Sequence, residues 1–145
     1  MALANSLQDK LDTKRIVIMD GGTGTEISRR GVTLDSSRSW SANANIASPD
    51  LVRDIHQDYI LAGAEIIITN TFSPSRSTLA TDGLSEQTEE INKQSVRLAI
   101  DARKNCDAEE TVAIAGSMSA FEPKLHPKII PSYEEALEDY REHAK

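Results

Sequence analysis

Residues 16–26 read IVIMDGGTGTE. An apolar run with high β propensity stops at a carboxylate, Asp20, and a glycine-rich turn follows. This pattern predicts a buried strand over residues 16–19 that ends at a binding site. Gly21 and Gly22 would let the backbone approach a ligand closely, or adopt a positive φ, where a side chain would clash.

Two later segments repeat this arrangement of a strand followed by polar residues. Residues 64–69 (AEIIIT) predict a second strand that runs into residues 70–72 (NTF). Residues 111–115 (TVAIA) predict a third, which runs into residues 116–119 (GSMS). The runs recur roughly every 50 residues with a helical pattern between them, as in βαβ units. The sequence therefore predicts a parallel α/β fold with a ligand site at the carboxyl edge of its sheet.

Two amphipathic helices are predicted between these strands. The first has Ser48 as N-cap, Pro49 in its first turn and Gly63 at its end. Its apolar stripe consists of Leu51, Val52, Ile55, Tyr59 and Ala62. The second runs from residue 86 to about residue 104, with Ser85 as its cap. Its buried face is expected to contain Ile91, Leu98 and Ala102.

Shorter patterns surround these elements. Leucines at every fourth position predict a helix before the first strand, which makes residues 1–14 an N-terminal helical extension. Residues 26–31 predict a brief helix closed by Gly31. Residues 32–47 predict a long loop that carries Trp40, and residues 132–145 predict a charged helix.

Composition limits the function. The 145 residues are near the size of one domain, and a formal net charge of −7 argues against a nucleic-acid partner or an anionic membrane surface. No secretory signal begins the sequence, and no apolar run approaches the ~20 residues of a membrane span. Cys106 is the only cysteine, so this chain alone can form neither a disulfide nor a Cys-based zinc site. A soluble, cytoplasmic protein is expected.

The predicted sheet is small. No fourth apolar strand follows the last predicted helix, whereas a (β/α)8 barrel usually needs ~250 residues. Residues 15–145 are therefore expected to be a partial domain that is truncated before its fourth strand.

Several short motifs, in order along residues 15–119, carry a family resemblance. They are residues 20–26 (DGGTGTE), 30–31 (RG), 40–42 (WSA), Pro49, His56, Tyr59, 62–64 (AGA), 69–72 (TNTF) and 115–117 (AGS). Together they resemble the N-terminal part of the homocysteine S-methyltransferases. The resemblance implies the N-terminal part, about three βα units, of a (β/α)8 TIM barrel. In that family a methyl group passes from a donor such as S-methylmethionine, betaine or a methylated folate to homocysteine, which gives methionine.

The family chemistry depends on zinc, which the resemblance implies for the complete domain. A thiol of pKa ~8.5 is a poor nucleophile near neutral pH until a metal favours its thiolate. The family holds zinc with three cysteines on later strands, and Cys106 matches none of them. This chain is therefore expected to contain no metal ligand and no catalytic residue, and to bind no stoichiometric zinc by itself.

The resemblance instead implies a substrate-binding role for seven residues. Asp20 would accept the ammonium group of homocysteine, and the amides of Gly21 and Gly22 would approach its backbone atoms. Trp40, with Asn70, Thr71 and Phe72, would form a wall of the site.

Each of these features also has a simpler interpretation. Residues 22–27 could be a dinucleotide-binding loop, although the third small residue is missing, and no Gly-Lys-Ser/Thr follows to make a P-loop. Asp20 could cap the next turn, and Trp40 could be a packing residue. Asn70 and Thr71 could be turn formers.

The histidines offer no clear chemistry. His56 is expected to be a structural or surface residue rather than a base, because it lies near the apolar stripe of its helix. His126 and His143 have no partners at metal-ligand spacing.

Two functional hypotheses of different classes follow. The chain is a homocysteine S-methyltransferase fragment, inactive alone, whose barrel is completed by further sequence or by another chain of a split enzyme. Alternatively, it is a non-catalytic small-molecule-binding or protein-interaction module whose open sheet edges a partner covers.

Overall fold

A computed structural model describes residues 2–32, 41–72, 75–80, 82–119 and 131–144. Trp40 and His126 lie outside these residues.

A small parallel sheet lies at the centre of the fold. Strand β1 (Ile66–Ile68) pairs in parallel with β2 (Ala113–Ala115), and Ile67 lies opposite Ile114. On the other side of β1, Met19 forms a parallel bridge with Ile66. The three predicted apolar runs therefore lie side by side and parallel, in sequence order, which confirms the α/β prediction.

The prediction of a buried first strand is wrong. Residues 16–19 contribute only the Met19 bridge, and Ile16, Ile18 and Met19 are 88%, 55% and 52% exposed. The physical reason is that this segment has a neighbour on one side only, at β1, among the residues that the structure describes. The other two strands are also shorter than predicted, with three residues each.

Two helices cover one face of the sheet. They are α4 (Pro49–Leu61) and α6 (Thr88–Asn105), which pack against each other. The core contains Val52, Ile55 and Ile60 from α4; Ile91, Leu98, Ala99 and Ala102 from α6; and Ile67 from β1. Burial of one such Ile or Leu side chain contributes about 1.5–3 kcal/mol, so this helix pair supplies most of the apolar stabilisation.

Both predicted helix caps need correction. Ser48 occupies the N-cap position of α4, but its side chain makes no cap hydrogen bond. Ser85 belongs to a 3-10 turn (Ser85–Gln87), so α6 begins later, with Gln87 as its N-cap residue. The backbone N–H of Thr88 bonds to the Ser85 carbonyl and closes the 3-10 turn, and the Thr88 hydroxyl donates to the same carbonyl at 2.6 Å.

The apolar stripes were predicted with one error. Ile91, Leu98 and Ala102 are buried as expected. Ala62 is exposed because α4 ends at Leu61, and His56 lies on the buried face of α4. Gly63 and Gly31 end their helices at positive φ, 103° and 89°, as C-terminal glycines do.

The remaining helices surround this core. They are α1 (Ala2–Asp12), α2 (Thr23–Arg29), α3 (Ala44–Ala47), α5 (Arg76–Ala80) and α7 (Tyr133–His143). Helix α1 confirms the N-terminal helical prediction and is tied to the sheet by an ion pair between Lys10 and Glu65. Helix α3 lies where a loop was predicted, and α2 begins three residues earlier than predicted.

Polar contacts attach α7. Ser132 and Glu135 form a capping box at its start. At its other end, Arg76 donates from Nε and Nη2 to the two carboxylate oxygens of Glu142, at 2.8 and 2.6 Å. The Tyr140 hydroxyl donates to the Ser119 carbonyl at 3.0 Å. Asp139 is the one buried residue that α7 contributes in the described part of the chain.

No helix in the described ranges has the length and apolar character that crossing a membrane requires.

Candidate functional site

One carboxylate oxygen of Asp20, beside the end of β1, accepts no hydrogen bond from the described residues. Its Oδ2 accepts the amide of Ile68 at 2.8 Å, so it does not cap the following turn. Oδ1 is buried and has no hydrogen-bond partner among the described residues. Burial raises the pKa of Asp20, while hydrogen bonds from the backbone amides of Ile68 and Asp20 act in the opposite direction. A buried acceptor without a partner is costly, so Oδ1 suits a cationic or hydrogen-bond-donating ligand.

The glycines that follow Asp20 are packed closely. A Cβ at Gly21 would lie 2.8 Å from the Tyr59 hydroxyl and 3.1 Å from two of its ring carbons. Gly22 is the N-cap residue of α2, with φ −72° and ψ 98°. The close approach at Gly21 is thus to a tyrosine ring of α4, and Gly22 does not require a positive φ.

The Asn70 side chain is enclosed by protein groups. Its Nδ2 donates to the Ser41 carbonyl at 2.8 Å and to Asn45 Oδ1 at 2.9 Å, while its Oδ1 accepts the Ser41 hydroxyl at 3.0 Å. Asn70 is only 6% exposed. These contacts join the end of β1 to the segment that leads into α3.

Thr71 joins the ends of the two strands. Its hydroxyl donates to the Ser117 carbonyl at 2.8 Å and accepts the Ser117 amide at 3.1 Å. The Thr69 and Thr71 hydroxyls lie 2.8 Å apart. The polar residues after β1 and β2 therefore meet at one edge, as expected for parallel neighbours.

Of the other predicted site residues, the structure describes Phe72, Asp20, Gly21 and Gly22. Phe72 is 54% exposed, and Trp40 lies outside the described residues. A groove of about 930 Å³ opens beside the strand ends, with Thr71 and Ser117 in its wall. Asp20, Gly21 and Gly22 do not line this groove. The structure thus brings Asn70 and Thr71 together and places Asp20 beside them through Ile68.

A family model now accounts for this arrangement. The model described as homocysteine S-methyltransferase matches residues 17–145. The chain belongs to the homocysteine S-methyltransferase family. The chain is 36% identical over 126 residues to the homocysteine S-methyltransferase of Escherichia coli, across 83% of this chain and 40% of that protein. To the homocysteine S-methyltransferase YbgG of Bacillus subtilis it is 36% identical over 100 residues, across 68% of this chain and 31% of that protein.

Solved structures of the family have the same fold. The metallated form of the homocysteine methyltransferase MmuM from E. coli matches 95% of this chain and 51% of its own, with 31% identity and a TM-score of 0.81. The apo form of the same enzyme matches with a TM-score of 0.64 and 26% identity. The chain therefore corresponds to part of a homocysteine S-methyltransferase, less than half the length of the curated relatives above.

The donor groups of the described residues do not fit a zinc site. Within the described ranges, no three His, Cys, Asp or Glu side chains are grouped to hold a metal ion. Cys106 is the C-cap residue of α6, and partial burial raises the pKa of its thiol, with a further contribution from Asp107 and Asp58. No step of methyl transfer can be assigned to these residues.

His56 belongs to the interior of the domain. It is fully buried, and neither ring nitrogen has a hydrogen-bond partner among the described residues. Burial lowers its pKa to about 4, so the ring is neutral near pH 7. This position agrees with a structural role and leaves no route for His56 to act as a base on a ligand.

Sequence reasoning missed several contributors to the site. Ser41, Asn45 and Ser117 bind the predicted residues Asn70 and Thr71 directly. Ser41 and Asn45 lie in a segment rich in serine and asparagine. Ordinary loops have the same composition, so it did not identify these two residues as contributors to the site.

Proposed function

We propose that this chain forms the amino-acid-binding, N-terminal part of a (β/α)8 homocysteine S-methyltransferase, about three of its eight βα units. The complete enzyme would transfer a methyl group from a donor such as S-methylmethionine or betaine to homocysteine in methionine biosynthesis. The observation that carries the proposal is the buried Oδ1 of Asp20, which has no hydrogen-bond partner among the described residues and lies beside the end of β1 in a chain of this family.

Asp20 is proposed to accept the ammonium group of homocysteine. An ammonium on Oδ1 would supply the missing partner and favour the charged carboxylate against the effect of burial. A charge-assisted hydrogen bond of this kind contributes about 1.5–3 kcal/mol. The sign of the pH effect follows, because binding requires ionised Asp20 and should weaken as the pH falls through its raised pKa.

The other proposed substrate-binding residues surround this anchor. Gly21 and Gly22 would place backbone amides near the amino acid. Trp40, Thr71 and Phe72 would form the wall of the site. Asn70 would contribute by holding that wall, since all three hydrogen bonds of its side chain are made to protein groups.

Zinc, when bound in the complete domain, would activate the homocysteine thiol. The described residues do not fit a site for it, and we propose that its ligands lie in the remaining part of the barrel. A cytoplasmic location and the absence of a nucleic-acid partner are part of the same proposal, the latter supported by the net charge of −7.

Asp20→Asn tests the proposal. Homocysteine is titrated into the ¹⁵N-labelled chain, and shifts are read at the amides of residues 20–22 and 69–72. Calorimetry repeats the measurement in a completed barrel. The substitution should raise Kd by at least about tenfold, because an amide cannot replace the carboxylate as a charged partner, and should leave the denaturation curve nearly unchanged.

The control for this titration is Asp54→Asn, which changes an exposed carboxylate on α4 that pairs with Arg53. It should leave Kd unchanged. Unchanged affinity in Asp20→Asn would remove Asp20 from the site, and zinc-dependent methionine formation by the 145-residue chain alone would contradict the division of roles.

The exposed edge of the sheet also favours completion of the barrel by further strands, in this polypeptide or in a second one. The exposed apolar side chains of Ile16, Ile18 and Met19 form a sheet edge that a neighbouring strand would cover. This is the arrangement expected if further sequence or another chain of a split enzyme supplies the remaining strands.

A further inference from the structure

Asn45 makes a reciprocal pair of hydrogen bonds with Asn70, two residues beyond the end of β1. Its Nδ2 donates to the backbone carbonyl of Asn70 at 3.1 Å, and its Oδ1 accepts from Asn70 Nδ2 at 2.9 Å. Asn45 is fully buried in α3, which is only four residues long. So short a helix is not stable by itself, and the amide pair adds to the apolar packing of Ala44 that holds it against the core.

Asn70 extends this pair to a third residue. The second proton of its Nδ2 goes to the Ser41 carbonyl, and its Oδ1 accepts the Ser41 hydroxyl. The side chain has thereby used both of its donors, and its acceptor is occupied. Asn45, Asn70 and Ser41 are therefore joined by four hydrogen bonds, and we call these three residues the Asn70 network.

The network acts on the backbone of the candidate site. Asn45 holds the carbonyl of Asn70, and the next residue, Thr71, is tied to Ser117 on the neighbouring strand end. Ser41 directly follows Trp40 in the sequence. The position of the strand end relative to the segment after Trp40 therefore depends on the Asn70 side chain, which both Ser41 and Asn45 bind.

We propose that Asn45 is a positioning residue for the homocysteine site, acting through Asn70 on residues 70–72 and on Ser41. This assignment rests on the proposed function. Asn45 makes no contact with substrate in this scheme. A smaller or apolar residue at position 45 leaves a buried carbonyl and a buried N–H of Asn70 without partners, and the segment shifts to recover them.

Asn45→Ala tests the assignment with two measurements on the ¹⁵N-labelled chain. In the first, hydrogen exchange of the Asn70 side-chain amide is followed by NMR. The proton bound to Asn45 Oδ1 should lose its protection, while the proton bound to the Ser41 carbonyl keeps it. In the second, homocysteine titration should give a Kd raised by roughly tenfold to a hundredfold, as misplaced binding groups cause.

A matched control separates positioning from stability. Val112→Ala truncates a buried residue in the cluster below the sheet, away from the Asn70 network. It should lower stability without changing the Asn70 side-chain exchange or the Kd for homocysteine. Ser41→Ala removes only one hydroxyl from the network and should raise Kd by a smaller factor, which provides a test if Asn45→Ala does not fold.

The outcomes are distinct. A Kd within twofold of wild type in Asn45→Ala, with the amide proton deprotected, would overturn the positioning role while the proposed function stands. Equal losses of affinity in Asn45→Ala and Val112→Ala would also overturn it, since stability alone would then explain them. A wild-type chain or completed barrel that binds no homocysteine would overturn the proposed function, and the assignment with it, although the exchange result would still report the network.

Discussion

The end of β1 and the segment that leads to Asp20 are neighbours in one sheet, but their side chains differ in both polarity and exposure. Thr69, Asn70 and Thr71 are polar and are 3–6% exposed, and each makes side-chain hydrogen bonds to another element or to its neighbour. Ile16 and Met19 are apolar and are 88% and 52% exposed. Burial in this molecule follows the presence of a neighbouring element rather than the polarity of the residue.

The buried polar groups of the molecule also differ in whether they have hydrogen-bond partners among the described residues. Asn70 is buried with every hydrogen bond made, whereas Asp20 Oδ1 and both nitrogens of His56 are buried with none among the described residues. Buried polar atoms without partners are uncommon, and they mark either a ligand position or a cost in stability. We propose that Asp20, beside the end of β1, marks a ligand position, whereas His56 lies in the buried interior, where the unpaired nitrogens cost stability.

The largest expected effect compares two isoleucines of the same sheet. Ile67→Ala should lower the free energy of unfolding by about 2–5 kcal/mol, because Ile67 is fully buried. Ile16→Ala should change it by less than about 0.5 kcal/mol, because that side chain is exposed. Urea denaturation of both variants measures the difference. Similar losses in the two variants would mean that the edge segment is covered in solution.

The next effect concerns His56 and pH. Its pKa is lowered from 6.5 to about 4 in the folded chain, so the unfolded state binds the proton first as the pH falls. Stability from this group is fully present above pH 6.5 and is lost between about pH 6.5 and pH 4, by at most roughly 3 kcal/mol. Denaturation curves at several pH values should show this slope, and His56→Leu should remove that part of it. If the free energy of unfolding depends on pH in His56→Leu as it does in the wild type, other groups cause the loss of stability at low pH.

The smallest effect tests the close packing beside Asp20. Gly21→Ala should cost about 1–3 kcal/mol, because the new Cβ would meet the Tyr59 hydroxyl at 2.8 Å. Tyr59→Phe should restore part of this loss, since it removes the hydroxyl and leaves the ring carbons at 3.1 Å. Gly116→Ala is the matched control, because a Cβ there meets nothing within 4 Å. Equal stability of the two alanine variants, measured by thermal unfolding, would show that the Tyr59 ring moves freely.

Features that depend on near neighbours in sequence were predicted well. The glycines at 31 and 63, the stripe of α6 and the order of parallel strands follow from local chemistry and periodicity. Ser85 shows the limit of such rules. It is a good N-cap by type, but Thr88 bonds back to its carbonyl and turns the start of the helix into a 3-10 segment.

Features that depend on distant partners were not predictable. The side chain of Asn70 finds its partners 25 and 29 residues earlier in the chain, at Asn45 and Ser41. No periodicity in the sequence records such a contact. Exposure of Ile16 was missed for the same reason, because an apolar strand pattern is identical whether its outer neighbour is present or not.

The contacts of α7 and the contacts between α4 and α6 respond differently to ionic strength. Those of α7 include the partly exposed Arg76–Glu142 pair, whereas α4 and α6 meet through apolar side chains. Dissolved ions screen the first kind of contact, and salts that are excluded from protein surfaces strengthen the second. In concentrated sulfate the Arg76–Glu142 contact would therefore weaken, while the apolar contacts between α4 and α6 would become stronger.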